Sequence, residues 1–176
     1  MTNTTRAIFR VVIEGKIEAI WRELTKQGEA QGAVFNAWLH AQAMAVGASI
    51  QMRTKSGKKA IVVGTITAFD PPHRFAHTMR FTLHDDPECE VIYELKQLPG
   101  GVECTLIVEG MPVGTKTAKE MQAGGHTILN RLKSIVETGK PAIAARVLYW
   151  VFDKMEFVLP KKTNVSNWPM KNKYID

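Results

Sequence analysis

Residues 5–14, TRAIFRVVIE, are rich in β-branched side chains and stop at Gly15, which predicts a strand. The spacing then changes. Ile17, Ile20, Trp21 and Leu24 fall at i, i+3, i+4 and i+7, so all four share one face of a short helix that Lys26-Gln27-Gly28 ends. Residues 30–45 carry Phe35, Trp38 and Met44 without a clean period, and a short helix followed by a loop is expected there. From Gly47 the period is two. Ile50, Met52 and Thr54 alternate with Gln51 and Arg53 until the Ser56-Gly57-Lys58 turn. Residues 60–69, AIVVGTITAF, form the next strand, closed by Asp70-Pro71-Pro72, because proline cannot donate to a sheet ladder.

Two further alternating runs follow. Phe75, His77, Met79, Phe81 and Leu83 share one face of residues 74–84, and Val91, Tyr93 and Leu95 share one face of residues 90–98. Asp85-Asp86-Pro87 separates them as a solvated turn. Pro99-Gly100-Gly101 then turns the chain into a strand over 102–109, with Val102, Cys104, Leu106 and Val108 on one side. A long helix over 118–138 comes next. Thr117 and Glu120 have capping-box spacing, and Met121, Gly125, Ile128, Leu129, Leu132, Ile135 and Val136 form one stripe that Gly139 and Pro141 end.

The order is one strand, two short helices, five strands in hairpin succession and one long helix; strands joined by tight turns must pair antiparallel, and each has an apolar face that needs cover. Only the long helix has enough apolar length to provide it. The expected fold is α+β, a curved six-stranded antiparallel sheet wrapped around the long C-terminal helix, with an extra C-terminal helix. The first half of the helix stripe is small or flexible (Ala118, Met121, Gly124, Gly125), and the second half is dense and branched. A solid core at one end and a ligand-sized cavity at the other are therefore expected.

Composition sets limits on this picture. Hydrophobic residues make up 45% and charged residues 23% of the 176, as in a globular chain. The expected organisation is a ligand-binding domain over 1–140 and a helical extension with a basic tail over 141–176. The net charge of +6 is partly local to Lys161, Lys162, Lys171 and Lys173, so a nucleic-acid partner is not expected. Cys89 and Cys104 are too few for a secreted disulfide framework, and no export signal or apolar run of spanning length is visible. A cytoplasmic location is expected. Residues 142–159 are apolar nearly all round apart from Arg146, Asp153, Lys154 and Glu156. Such a helix must pack on its own domain or on a second copy as a homodimer, and this is favoured over a membrane surface.

The opening IFRVVIEGKIEAIWRELT, Trp38, Gly47, GTITAFDPPHRFAHT, VIYELK and GGHTILNRLKSIVETG follow one another over residues 5–139. In that order they resemble the START-like (SRPBCC, Bet v 1-like) superfamily, and within it the family of activator-of-heat-shock-protein-90-ATPase homologs. His126 stands where that family often has tryptophan. The resemblance implies a helix-grip fold with a hydrophobic pocket, and no particular activity.

His77 is the polar residue on an otherwise apolar strand face, where it can hydrogen-bond a ligand or serve as acid or base. The expected ligand-binding set is His77, Met79, Met52, Tyr93, Met121, Gly125, Phe35 and Trp38. No C-x-x-C or H-E-x-x-H spacing occurs, so neither metal nor cofactor is expected. No catalytic set can be assembled, which favours a carrier or sensor of a small lipophilic or aromatic molecule. The alternatives are a cyclase or dehydratase-type enzyme using His77 with Tyr93, and a chaperone-associated interaction protein.

Overall fold

A computed structural model describes residues 4–171. Among these, the elements run β1 (Thr4–Ile13), α1 (Ile17–Thr25), β2 (Ala30–Gln31), β3 (Ala37–Ala41), β4 (Ser49–Arg53), β5 (Ala60–Asp70), β6 (Arg74–Phe81), β7 (Cys89–Leu98), β8 (Gly101–Pro112), α2 (Lys116–Thr138) and α3 (Ile143–Lys154). The fold is α+β, and its strands form one antiparallel sheet in the order β1-β8-β7-β6-β5-β4-β3-β2. Eight strands replace the six expected, because the segment read as helix and loop over 30–45 contains β2 and β3. Phe35 and Asn36 take positive φ (53° and 56°) between them, which turns the chain and breaks any helical period. Leu83 and His84 lie beyond the end of β6, in the turn to β7.

The sheet curls around α2 because every strand has one apolar face and twist accumulates across the strands. Register shifts in the β4–β5 and β5–β6 ladders add local bends. Ile13 from β1, Val102 and Leu106 from β8, and Leu129 and Leu132 from α2 are fully buried against one another. Burying each such side chain is worth roughly 1.5–3 kcal/mol. Leu39 and Ile50 extend this core along β3 and β4.

The start of α2 differs from the expected capping box. Thr115, two residues earlier, is the N-cap, and its Oγ1 accepts the Ala118 N–H at 3.1 Å. Thr117 is instead buried inside the helix. Its backbone N–H donates to Asp86 Oδ2 at 2.9 Å, so one carboxylate of the turn holds the helix end while Asp85 stands in solvent as expected. That hydrogen bond holds the Asp86 carboxyl below its ordinary pKa. At the other end Gly139, with φ 79°, lets its N–H cap the Ile135 carbonyl at 2.8 Å.

The C-terminal extension has two parts. Helix α3 meets the domain through Ala145 and Tyr149, whose hydroxyl donates to the Gly32 carbonyl and whose ring lies 5.4 Å from the Arg131 guanidinium carbon. Its opposite side is open. Ile143 is 76%, Trp150 63% and, just past the helix, Phe157 84% exposed. Of the two packing modes expected for residues 142–159, the contact with the same domain is made by Ala145 and Tyr149, and Trp150, Phe152 and Phe157 stay exposed within the single chain. Short 3₁₀ turns at Lys161–Thr163 and Val165–Asn167 then carry the tail over the outer face of the sheet. Lys59 Nζ donates to Asn164 Oδ1 at 2.7 Å, and Val165 N–H donates to the Lys58 carbonyl at 3.0 Å. The Trp168 ring sits 5.5 Å from the Arg80 guanidinium carbon and anchors the tail. Lys173 lies outside the described residues. No helix among those described is long and apolar enough to cross a membrane.

Candidate functional site

The inward face of β6 presents Phe75, His77, Met79 and Phe81, all buried, because alternate side chains of a strand share a face. The ladder sets Met79 opposite Cys89 and His77 opposite Val91, while Tyr93 stands opposite Phe75 and hence diagonal to His77. Met52 comes from β4, and Met121 with Ile128 from α2. Together they enclose a cavity of about 20 Å³, which Phe35 and Val34 border on the β2–β3 side. Five of the expected side chains, His77, Met79, Met52, Tyr93 and Met121, line it, and Phe35 makes a sixth. Phe35 is 43% exposed, so the cavity meets the surface at that residue.

Two expected residues lie elsewhere. Trp38 pairs with Arg53 in the β3–β4 ladder, and the inward position between them belongs to Leu39 opposite Met52. Trp38 therefore projects from the outer face, and its indole nitrogen is buried without a partner. Gly125 shares the apolar side of α2 with Met121 and Ile128 but turns toward β1. A Cβ there would collide with the Phe9 ring, so this glycine permits close approach of helix and strand and does not open the cavity. A large side chain at 125 would collide with Phe9 before it filled any void.

The void is much smaller than expected. A ring-sized ligand needs on the order of 150 Å³, whereas about 20 Å³ suits a single water. The walls nevertheless include Met52, Met79 and Met121, and thioether side chains repack more readily than branched ones.

His77 has a defined chemical state. Its Nδ1 lies 2.8 Å from the Thr78 carbonyl, which can only accept, so Nδ1 carries the hydrogen. Burial pushes its pKa below the ordinary 6.5 and outweighs the opposing effects of the Thr78 carbonyl and Glu90. The ring is neutral, and Nε2 is a lone-pair acceptor, buried and unpartnered. Burial likewise pushes the Tyr93 phenol upward. Cys89 and Cys104 do not face each other, since Cys104 stands opposite Leu95. Burial raises their thiols to about 11 and about 12.

A protein-family model described as activator of Hsp90 ATPase homolog 1-like matches residues 14–137. The chain belongs to this family. Solved structures with the same fold include CalU16 from Micromonospora echinospora, at 15% identity and a TM-score of 0.62 over 89% of this chain and 88% of that one. The Aha1 dimer from Colwellia psychrerythraea aligns at 16% identity and a TM-score of 0.60 over 77% of this chain and 98% of that one. An AHSA1-like protein from Aeromonas hydrophila aligns at 24% identity and a TM-score of 0.56 over 77% and 94% of the two chains. No curated protein matches significantly.

Within this family fold the site offers one acceptor, one phenol and otherwise hydrocarbon, aromatic or thioether walls. Among the described residues no three His, Cys, Asp or Glu side chains gather as metal ligands. Among the described residues no carboxylate is hydrogen-bonded to His77 or Tyr93, and Glu90 acts on His77 through its charge alone. The expected set missed Val34, Val62, Phe81, Val91 and Ile128 as lining residues, although Phe81 and Val91 stood on strand faces already read as inward. Ile128 was legible as an inward helix position. Val62 lay in a run, AIVVGTITAF, that is apolar on both faces and names no inward side.

Proposed function

We propose that the protein binds a small hydrophobic or aromatic molecule between α2 and the sheet, as a carrier or sensor. The observation that carries this reading is a methionine-walled space, open to the surface at Phe35, with a buried acceptor in its lining, His77 Nε2, left unpartnered. Pockets that hold small ligands pair mostly apolar walls with a few placed polar groups. The experiment is native mass spectrometry of the full chain purified under mild conditions, followed by Val91→Trp, which fills the space from the β7 side. A retained small molecule that Val91→Trp excludes supports the reading; a wild-type protein that carries nothing and takes up no apolar probe overturns it.

We also propose that residues 142–159 form a homodimer contact. Ile143, Val147 and Trp150 lie at i, i+4 and i+7 on the exposed side of α3. Arg146 and Asp153 flank that stripe on one edge. Two such helices packed antiparallel about a two-fold axis near residue 149 set each Arg146 beside the other copy's Asp153. The Colwellia relative is described as a dimer, which makes association of this fold a precedent.

A further inference from the structure

We infer that the ligand of this cavity is an apolar molecule bearing one hydrogen-bond donor, a hydroxyl or N–H, delivered to His77 Nε2. The inference rests on the cavity being a binding site and names the chemistry that site selects.

Three observations converge. The Thr78 carbonyl fixes the tautomer, because an acceptor 2.8 Å from Nδ1 requires the proton there. Nε2 is consequently an acceptor, buried with no partner. An unmet buried acceptor is costly, and a native chain keeps one where something else completes it. His77 is one of the residues that line the cavity, so a ligand held there lies beside this ring.

A single water fits the volume but finds only His77 and Tyr93 as polar side-chain partners, the lower end of the two to four hydrogen bonds that buried waters make. A molecule with one donor and a hydrocarbon body satisfies Nε2 and fills the methionine walls together. An anion does the opposite, since it brings an acceptor to an acceptor and loses its hydration among apolar groups. A hydrocarbon without a donor fits the walls but leaves Nε2 unmet.

Four probes of one shape separate these cases: 1-naphthol, naphthalene, 1-methoxynaphthalene and 1-naphthoate. Binding to the full chain is measured by titration calorimetry near pH 7.5. The expected result is 1-naphthol at least about tenfold tighter than the other three, as one hydrogen bond to an otherwise unmet acceptor supplies. In His77→Phe that preference disappears while naphthalene still binds. If His77→Phe does not fold, the wild-type ¹⁵N resonance of Nε2 gives the second readout. It should shift on adding 1-naphthol and stay put with naphthalene. Equal affinity for naphthol and naphthalene overturns the donor requirement and leaves the cavity reading standing. Tightest binding of naphthoate overturns it in favour of a protein donor. No binding of any probe overturns the cavity reading, and this inference with it.

Discussion

A buried imidazole has to choose between solvation it has lost and a proton it cannot keep. In His77 burial prevails, so the folded chain holds the ring neutral at pH values where the unfolded chain begins to protonate it. Above about pH 6.5 both states are neutral and the contribution to stability is complete. As pH falls from 6.5 toward the depressed folded value, the unfolded state takes up a proton that the folded state refuses, and stability drops. Glu90 is the carboxylate whose charge acts on the ring, and it opposes the shift without reversing it. Replacement by phenylalanine removes this linkage. Melting temperatures measured from pH 7.5 to 5 should fall more steeply for the wild type than for His77→Phe. His40, whose pKa is also lowered by burial and by Arg53, contributes the same sign in both proteins and cancels from the difference. Parallel profiles would show that the folded ring protonates as readily as a free one. At this scale the sequence was informative, because period-two alternation placed His77, Met79 and Tyr93 on inward faces. Which nitrogen is free was not legible, since it depends on the Thr78 carbonyl.

Helix α2 shows where element-level patterns succeed and where they slip. Its apolar stripe, its length and its Gly139 stop were all readable, because they depend on spacing within one segment. Its start was misplaced by two residues. Thr115 and Thr117 are both acceptable N-cap types, and the choice falls to Asp86, whose carboxylate reaches the Thr117 N–H from the β6–β7 turn. That contact joins residues 31 positions apart and leaves no local trace. Strands β2 and β3 were hidden for a similar reason. β2 is two residues long, and the positive φ of Phe35 and Asn36 interrupts any alternation between them. The capping assignment separates two otherwise similar substitutions. Thr115→Ala removes the side chain that accepts the Ala118 N–H and should cost about 1 kcal/mol. Thr117→Val removes a hydroxyl that caps no N–H of the helix and keeps the Thr117 N–H bond to Asp86, so it should cost less than Thr115→Ala. Urea denaturation of the two variants decides it, and the reverse order would restore Thr117 as the cap.

The whole molecule is held at its C-terminal end by two unequal attachments. The tail beyond α3 is stapled to the outer face of the sheet by the Lys59–Asn164 and Trp168–Arg80 contacts. Helix α3 is held by Tyr149 and Ala145 and keeps Ile143, Val147 and Trp150 in water. Amphipathic spacing made this segment legible as a helix with too much apolar surface. It could not say which side the domain would take, because that depends on Tyr149 finding the Gly32 carbonyl. Deleting everything after residue 139 is a poor test of association, since it strips the staple from the sheet as well and lowers stability for that reason alone. A charge on the outward face is cleaner. Trp150 is 63% exposed, so Trp150→Glu leaves the monomer fold unchanged and its melting temperature near that of the wild type at low concentration. Sedimentation velocity across a concentration series should show the wild type associating and Trp150→Glu remaining monomeric. The antiparallel arrangement adds a sharper expectation. Arg146→Asp and Asp153→Arg each set like charges together across the two-fold axis and weaken the dimer, while the double exchange restores opposite pairs and recovers it. A wild type that stays monomeric at every concentration rules out the second copy. If that monomer then binds vesicles containing phosphatidylglycerol through Trp150, a lipid surface covers this face instead.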